Sequence, residues 1–161
     1  MFKVIKPGDV ESIADISNLT IFLAGSIEMG KAVDWQTKLT ASLSNHDYVT
    51  LFNPRRDDWD PTWEQTVSNS NFVEQVEWEL EHIALADLVV FFFDPKTQSP
   101  ITLLELGVVA SSGKPAVVFC EDGYFKKGNV DITCSWFSIP TVDSFEELVD
   151  FINSFIDEED F

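Results

Sequence analysis

Four runs of strand length, Thr20 to Ala24, Tyr48 to Phe52, Leu88 to Phe93 and Ala116 to Cys120, are largely apolar from end to end, and segments of helical period fall between them. A strand that is apolar on both faces must be covered on both faces, and alternation with helices supplies that cover. The expected fold is therefore α/β, a single doubly wound, flavodoxin-like domain over 1–161. A fifth strand near Ile139 to Val142 completes the expected five-stranded parallel sheet. Right-handed crossovers favour the strand order 2-1-3-4-5, counted from Thr20.

The intervening helices are expected over Ala32 to Ser44, Phe72 to Ala86, Pro100 to Ser112 and Ser144 to Ile156. Val33, Leu39 and Leu43 supply the core face of the first. Val76, Leu80 and Ile83 do so in the second, where Gln75, Glu79 and His82 form a parallel polar stripe. The third should bury Ile101, Leu104 and Val108, start at Ser99 as N-cap, and take Pro100 at its first position. Ser144 and Glu147 have the spacing of a capping box. Between Asn53 and Asn71 a long polar connection breaks the rhythm, and loops of that length in compact domains are usually functional or disordered. Trp59 and Trp63 argue against disorder. Gly123 to Asp131 reads as a turn-rich surface loop.

Charge narrows the partners. With 28 acidic against 10 basic residues and a net charge of −18, the chain repels nucleic-acid polymers and anionic membranes. A small ligand held by a few local groups remains open. Cys120 and Cys134 form neither a CxxC pair nor a zinc set with His46 and His82, and read as free thiols in a reducing compartment. No metal site or cofactor is expected, and with no signal pattern or membrane-length apolar run the expected location is cytoplasmic.

In open parallel sheets ligands bind beyond the carboxyl ends of the strands, where the strand order reverses. Gly25 and Ser26, Asn53, Asp94 and Ser99 all fall at that edge. The loop from Gly25 to Gly30 lacks the spacing of a dinucleotide or Walker motif, and its glycine more safely means close approach of a ligand to backbone at a helix start. Arg55 and Arg56 either hold a ligand oxygen or pin the protein's own carboxylates. Glu105, in the second turn of a greasy helix, is either an ordinary solvent-facing acid or a site carboxylate. Together with Asp94 and Glu79 it suits chemistry at an anomeric carbon, where one carboxylate attacks and a protonated acid assists the leaving group. Its place near a helix start should keep it ionised. Gln75 lies near the same rim, whereas His82 lies lower and reads as structural.

The ordered set of Phe22 to Ser26, Asn53 to Arg56, Gln75 to Leu80, Ala86 and Asp87, Phe93 to Pro95, Ser99 to Gly107 and Lys127 to Asp131 resembles the nucleoside 2-deoxyribosyltransferase family, in its transferase-like branch. The resemblance implies base exchange on a nucleoside through a glycosyl ester on Glu105. It implies that Asp94 contacts or protonates the base, that Glu79 stands where classical members commonly carry Asp, and that Gly25 and Ser26 line the sugar or its 5′ end. It also implies that Asn129 reaches a neighbouring subunit's site, in a homo-oligomer with shared active sites. An N-glycosidase that hydrolyses nucleoside 5′-monophosphates is the alternative enzyme, for which Ser26, Arg55, Arg56 and Ser99 offer 5′-end contacts. A non-catalytic nucleotide-binding module is the third reading.

Overall fold

A computed structural model describes residues 1–10, 16, 19–28 and 32–159. Met29 and Gly30 of the glycine loop, and Asp160 of the acidic tail, lie outside them. Eleven elements follow in order: β1 (Lys3–Ile5), β2 (Leu19–Gly25), α1 (Trp35–Leu43), β3 (Val49–Phe52), α2 (Ser70–Leu85), β4 (Leu88–Phe93), α3 (Pro100–Ser112), β5 (Ala116–Cys120), α4 (Lys127–Trp136), β6 (Thr141–Val142) and α5 (Phe145–Glu158). The sheet is parallel throughout, in the order β1-β3-β2-β4-β5-β6.

Six strands rather than five is a correction to the sequence reading. Lys3–Ile5 adds an edge strand beside β3, pairing Lys3 with Thr50 and Ile5 with Phe52. A three-residue strand just ahead of the Pro7-Gly8 turn carries too short a pattern to declare itself in sequence, and short strands are typical of sheet edges. The other five keep the relative order 2-1-3-4-5, so the reversal falls between β2 and β4. A second correction is α4: Lys127–Trp136 is helical where a loop was expected, steadied by the i,i+4 pair Lys127–Asp131 at 3.2 Å.

Two apolar layers sandwich the sheet. One joins Phe22, Phe91 and Phe93 to Ile83 of α2, Leu106 of α3 and Val130 of α4. The other joins Ile21, Leu23 and Val90 to Trp35 and Leu39 of α1 and Leu148 of α5. Each fully buried phenylalanine contributes about 1.5–3 kcal/mol by leaving water. At the amino edge, Thr20 N and Oγ1 both donate to Asp87 Oδ2 at 2.8 and 2.9 Å, locking β2 to the entry of β4.

The expected core stripes of α2 and α3 are misplaced. Ile101, Leu104 and Val108 are 54, 63 and 43% exposed, while Thr102, Glu105, Leu106 and Val109 of α3 face inward; in α2 Ile83 is buried as expected, but Leu80 is 49% exposed and Gln75 of the polar stripe faces inward. In α1 Leu39 and Leu43 are buried as expected, but Val33 is exposed and precedes the helix, and Trp35 fills the core position. The cap of α5 is close to the expected box: Ser144 Oγ accepts from Glu147 N, and Glu147 reaches back to the amide of Asp143 at 2.7 Å. No helix is long and apolar enough to cross a membrane among the described residues.

Candidate active site

The carboxyl edge at the β2/β4 reversal is built from buried polar groups. Ser26, Asn53, Gln75, Asp94, Thr97, Ser99, Thr102 and Glu105 are all buried, an arrangement an apolar core does not require. Gly25 ends β2. A Cβ on it would come within 2.8 Å of Phe92 O and strike the Trp35 ring, so glycine is required there by the chain's own packing rather than by a ligand's approach. Trp35 Nε1 donates to Ser26 O at 3.2 Å.

Ser26, Thr97 and Ser99 bring their hydroxyl oxygens within 2.6–2.8 Å of one another. Ser26 Oγ also accepts from Asp94 N at 2.9 Å, tying the ends of β2 and β4 together. Ser99 begins α3 without the side-chain cap expected of it: its backbone is left-handed (φ 49) and its hydroxyl belongs to this cluster. Asp94 accepts from Lys96 N through Oδ1 at 2.9 Å and from Val33 N through Oδ2 at 3.3 Å.

Asn53 Oδ1 accepts from Arg55 N, turning the chain as it leaves β3. The arginines take the self-pairing option. Arg55 reaches Gln36 Oε1 at 3.2 Å and Asp34 at 3.7 Å, and Arg56 holds Asp58 with two hydrogen bonds of 2.9 and 3.0 Å. The Asp58 hydrogen bond raises the Arg56 guanidinium further. Arg56 also lies over Trp63, which packs edge-on to Trp59, so that connection is internally organised.

On α2, Gln75 Nε2 donates to Pro54 O at 3.2 Å and to Glu79 Oε1 at 2.8 Å. Both partners are acceptors, so the amide orientation is fixed and Gln75 Oε1 is left buried without a partner among the described residues. Glu105 Oε2 is likewise buried and unpartnered, and the residue is only 8% exposed. Burial pushes the Glu105 carboxyl well above the usual carboxylate range, and the neighbouring Glu79 charge adds to the rise. Burial also raises Glu79, against which the Gln75 hydrogen bond pulls down. This corrects the expectation that the helix start keeps Glu105 ionised: six residues in, desolvation outweighs a dipole effect that fades after the first turn. His82 is structural as read, bonded to Trp78 O at 2.7 Å and stacked on Trp78.

Sequence reasoning missed Thr97, Thr102, Glu28 and Gln36. Gln36 is fully buried, its Oε1 turned to Arg55 and its Nε2 without a partner among the described residues. A glutamine at a helix start carries no signal in sequence, but polar residues at core-facing positions of α3 could have drawn attention to Thr102. Asn129 is exposed on the first turn of α4, beyond the carboxyl end of β5. An apolar cleft of about 210 Å³, lined by Leu88, Gly113, Phe137 and Phe155, opens at the opposite edge of the sheet and holds none of these groups.

The profile of the family described as "Nucleoside 2-deoxyribosyltransferase like" matches residues 18–124, well over half of the chain. The chain belongs to this family. Every buried polar residue of the candidate site falls inside the matched span, and Asn129 falls outside it. No curated protein sequence matches the chain. Among solved structures, a conserved protein from Enterococcus faecalis V583 superposes with a TM-score of 0.61 at 18% identity, over 84% of this chain and 98% of that one. That likeness is one of fold, and family membership places the chain among nucleoside-processing α/β proteins.

Proposed function

We propose that the protein is a nucleoside 2-deoxyribosyltransferase acting through Glu105. The observation that carries this reading is a buried, unpartnered carboxylate oxygen beside a second acid at the sheet's reversal point. Leaving such a group unpaired costs about 1–3 kcal/mol, which a ligand in the crevice offsets. In the first step the ionised Glu105 carboxylate attacks the anomeric carbon, a C–O bond forms and the C–N bond to the base breaks. The departing base takes up a proton, passed by Asp94, which balances the proton Glu105 has to lose before attacking. A second base then attacks the same carbon, its new C–N bond forming as the C–O bond to Glu105 breaks, and its N–H proton returns to Asp94, which resets the site. Glu79 holds the other charge of the acid pair and is itself held by Gln75. Gly25, Ser26, Asn53, Arg55, Arg56 and Ser99 shape the crevice around sugar and base.

The same reading includes assembly. In a chain of net charge −18, the only ionisable side chain of α3 is the buried Glu105, and its outward face is Ile101, Leu104 and Val108. A second copy covers that face and brings Asn129 to the neighbouring site. Salvage of nucleosides in the cytoplasm is the corresponding cellular role.

Incubation with a 2-deoxynucleoside and a different free base, followed by chromatography, tests the activity. A new nucleoside that appears only with the second base is the expected result. Free base released without an acceptor would select hydrolysis, and no turnover by the wild type would leave a binding module.

A further inference from the structure

Glu28 lies three residues beyond the end of β2, with a left-handed backbone (φ 37) that is uncommon outside glycine. Its side chain crosses to the start of α3, where Oε1 accepts from Gln98 N at 2.6 Å and from Ser99 N at 2.5 Å. Gln98 and Ser99 stand immediately ahead of the 13-residue helix α3, and two successive backbone amides in that position are donors that a bound anion can take. Here the chain's own carboxylate takes them. The hydroxyls beside them offer no replacement, because Ser26, Thr97 and Ser99 bond to one another and to the carbonyls of Phe92 and Asp94. The crevice nevertheless carries the mark of a ligand, since Glu105 on the same helix presents a buried oxygen with no partner. Ser99 and Glu105 are separated by about 9 Å of helix axis, the scale of a pentose and its 5′ substituent.

We propose that Glu28 is a specificity-determining residue that makes the crevice accept a sugar with a free 5′-hydroxyl and reject one with a 5′-phosphate. Both amides go to Oε1, and among the described residues none donates to Oε2, so Oε2 serves the 5′-hydroxyl as acceptor. A phosphate has no proton to give it and meets a negative charge that already holds the amides of Gln98 and Ser99. This inference rests on the nucleoside reading and names the substrate class within it.

The test is equilibrium binding, read by calorimetry and by the Gln98 and Ser99 amide resonances, of the common 2′-deoxynucleosides and their 5′-monophosphates to wild type, Glu28→Gln and Glu28→Ala. Glu28→Gln keeps an oxygen for the two amides while removing the charge, and Glu28→Ala removes both. Wild type is expected to bind a nucleoside about 100-fold more tightly than its monophosphate, and Glu28→Gln to narrow that ratio by about tenfold. Equal or tighter binding of the monophosphate by wild type overturns the proposal even if neither variant folds. An unchanged ratio in a folded variant overturns it as well. A nucleoside that binds with the expected preference but is never turned over leaves the role of Glu28 standing and removes the transferase. Binding of neither ligand ends both.

Discussion

Gln75 Nε2 donates to Glu79 Oε1 at 2.8 Å, and this bond separates the two neighbouring acids of the site. Burial raises both carboxyls, but among the described residues only Glu79 is shown with a donor that pulls it back, so Glu79 ionises first and Glu105 later. Gln75→Met removes the donor at similar volume. Carbon-detected titration of the two side-chain carboxyls should show the Glu79 midpoint moving up in that variant. A Glu79 midpoint that stays in place would mean the bond does not control the pair.

Activity should follow the ionisation of Glu105. Because the attacking form is the carboxylate, kcat/KM is expected to climb with pH through a midpoint above the ordinary carboxylate range. A profile already flat at pH 5 would contradict the burial of the ionising group.

Stability should run the other way. The folded-state pKa of Glu105 is raised above its unfolded value, so its contribution to stability is fully present below the unfolded pKa. It is lost progressively as pH rises toward the folded one. Glu105→Gln removes this loss. Thermal unfolding should show the variant more stable than wild type at pH 8 and little different near pH 4. Equal stability at pH 8 would place Glu105 in contact with solvent.

At Gly25 the constraint is steric. Gly25→Ala puts a methyl within 2.8 Å of Phe92 O and against the Trp35 ring, and overpacking of this kind costs about 1–3 kcal/mol. Denaturant unfolding should show that loss, and an alanine variant as stable as wild type would show that the β2 end yields.

The outward face of α3 gives the assembly prediction. Leu104→Glu should convert an oligomeric wild type to monomer in sedimentation velocity with its far-UV spectrum intact. A wild type that sediments as a monomer at micromolar concentration would remove the shared-site assembly.

Those exposed leucines also show how far the sequence could be read. The strands were legible because Leu88 to Phe93 and Ala116 to Cys120 are apolar on both faces, which admits one architecture. Faces of helices were not. Ile101, Leu104 and Val108 keep a clean helical period, yet periodicity identifies a stripe without saying whether it meets the sheet or another surface. In α2 the polar stripe of Gln75 and Glu79 turns inward to the site and Leu80 turns out. Function inverts the usual rule on both helices, and the residues that invert it are those of the candidate site. Glu28 was illegible for a different reason: its partners lie 70 and 71 positions away, a pairing that only the fold creates.

Transfer through Glu105 requires a covalent bond to its carboxylate. Wild-type protein mixed with a 2-deoxynucleoside in the absence of an acceptor base, quenched in denaturant within the first turnover, should yield one peptide carrying a 2-deoxyribosyl group, with fragmentation placing it on Glu105. Glu105→Gln should yield none. Base exchange without such an adduct, or an adduct on Glu79 or Asp94, would contradict the account.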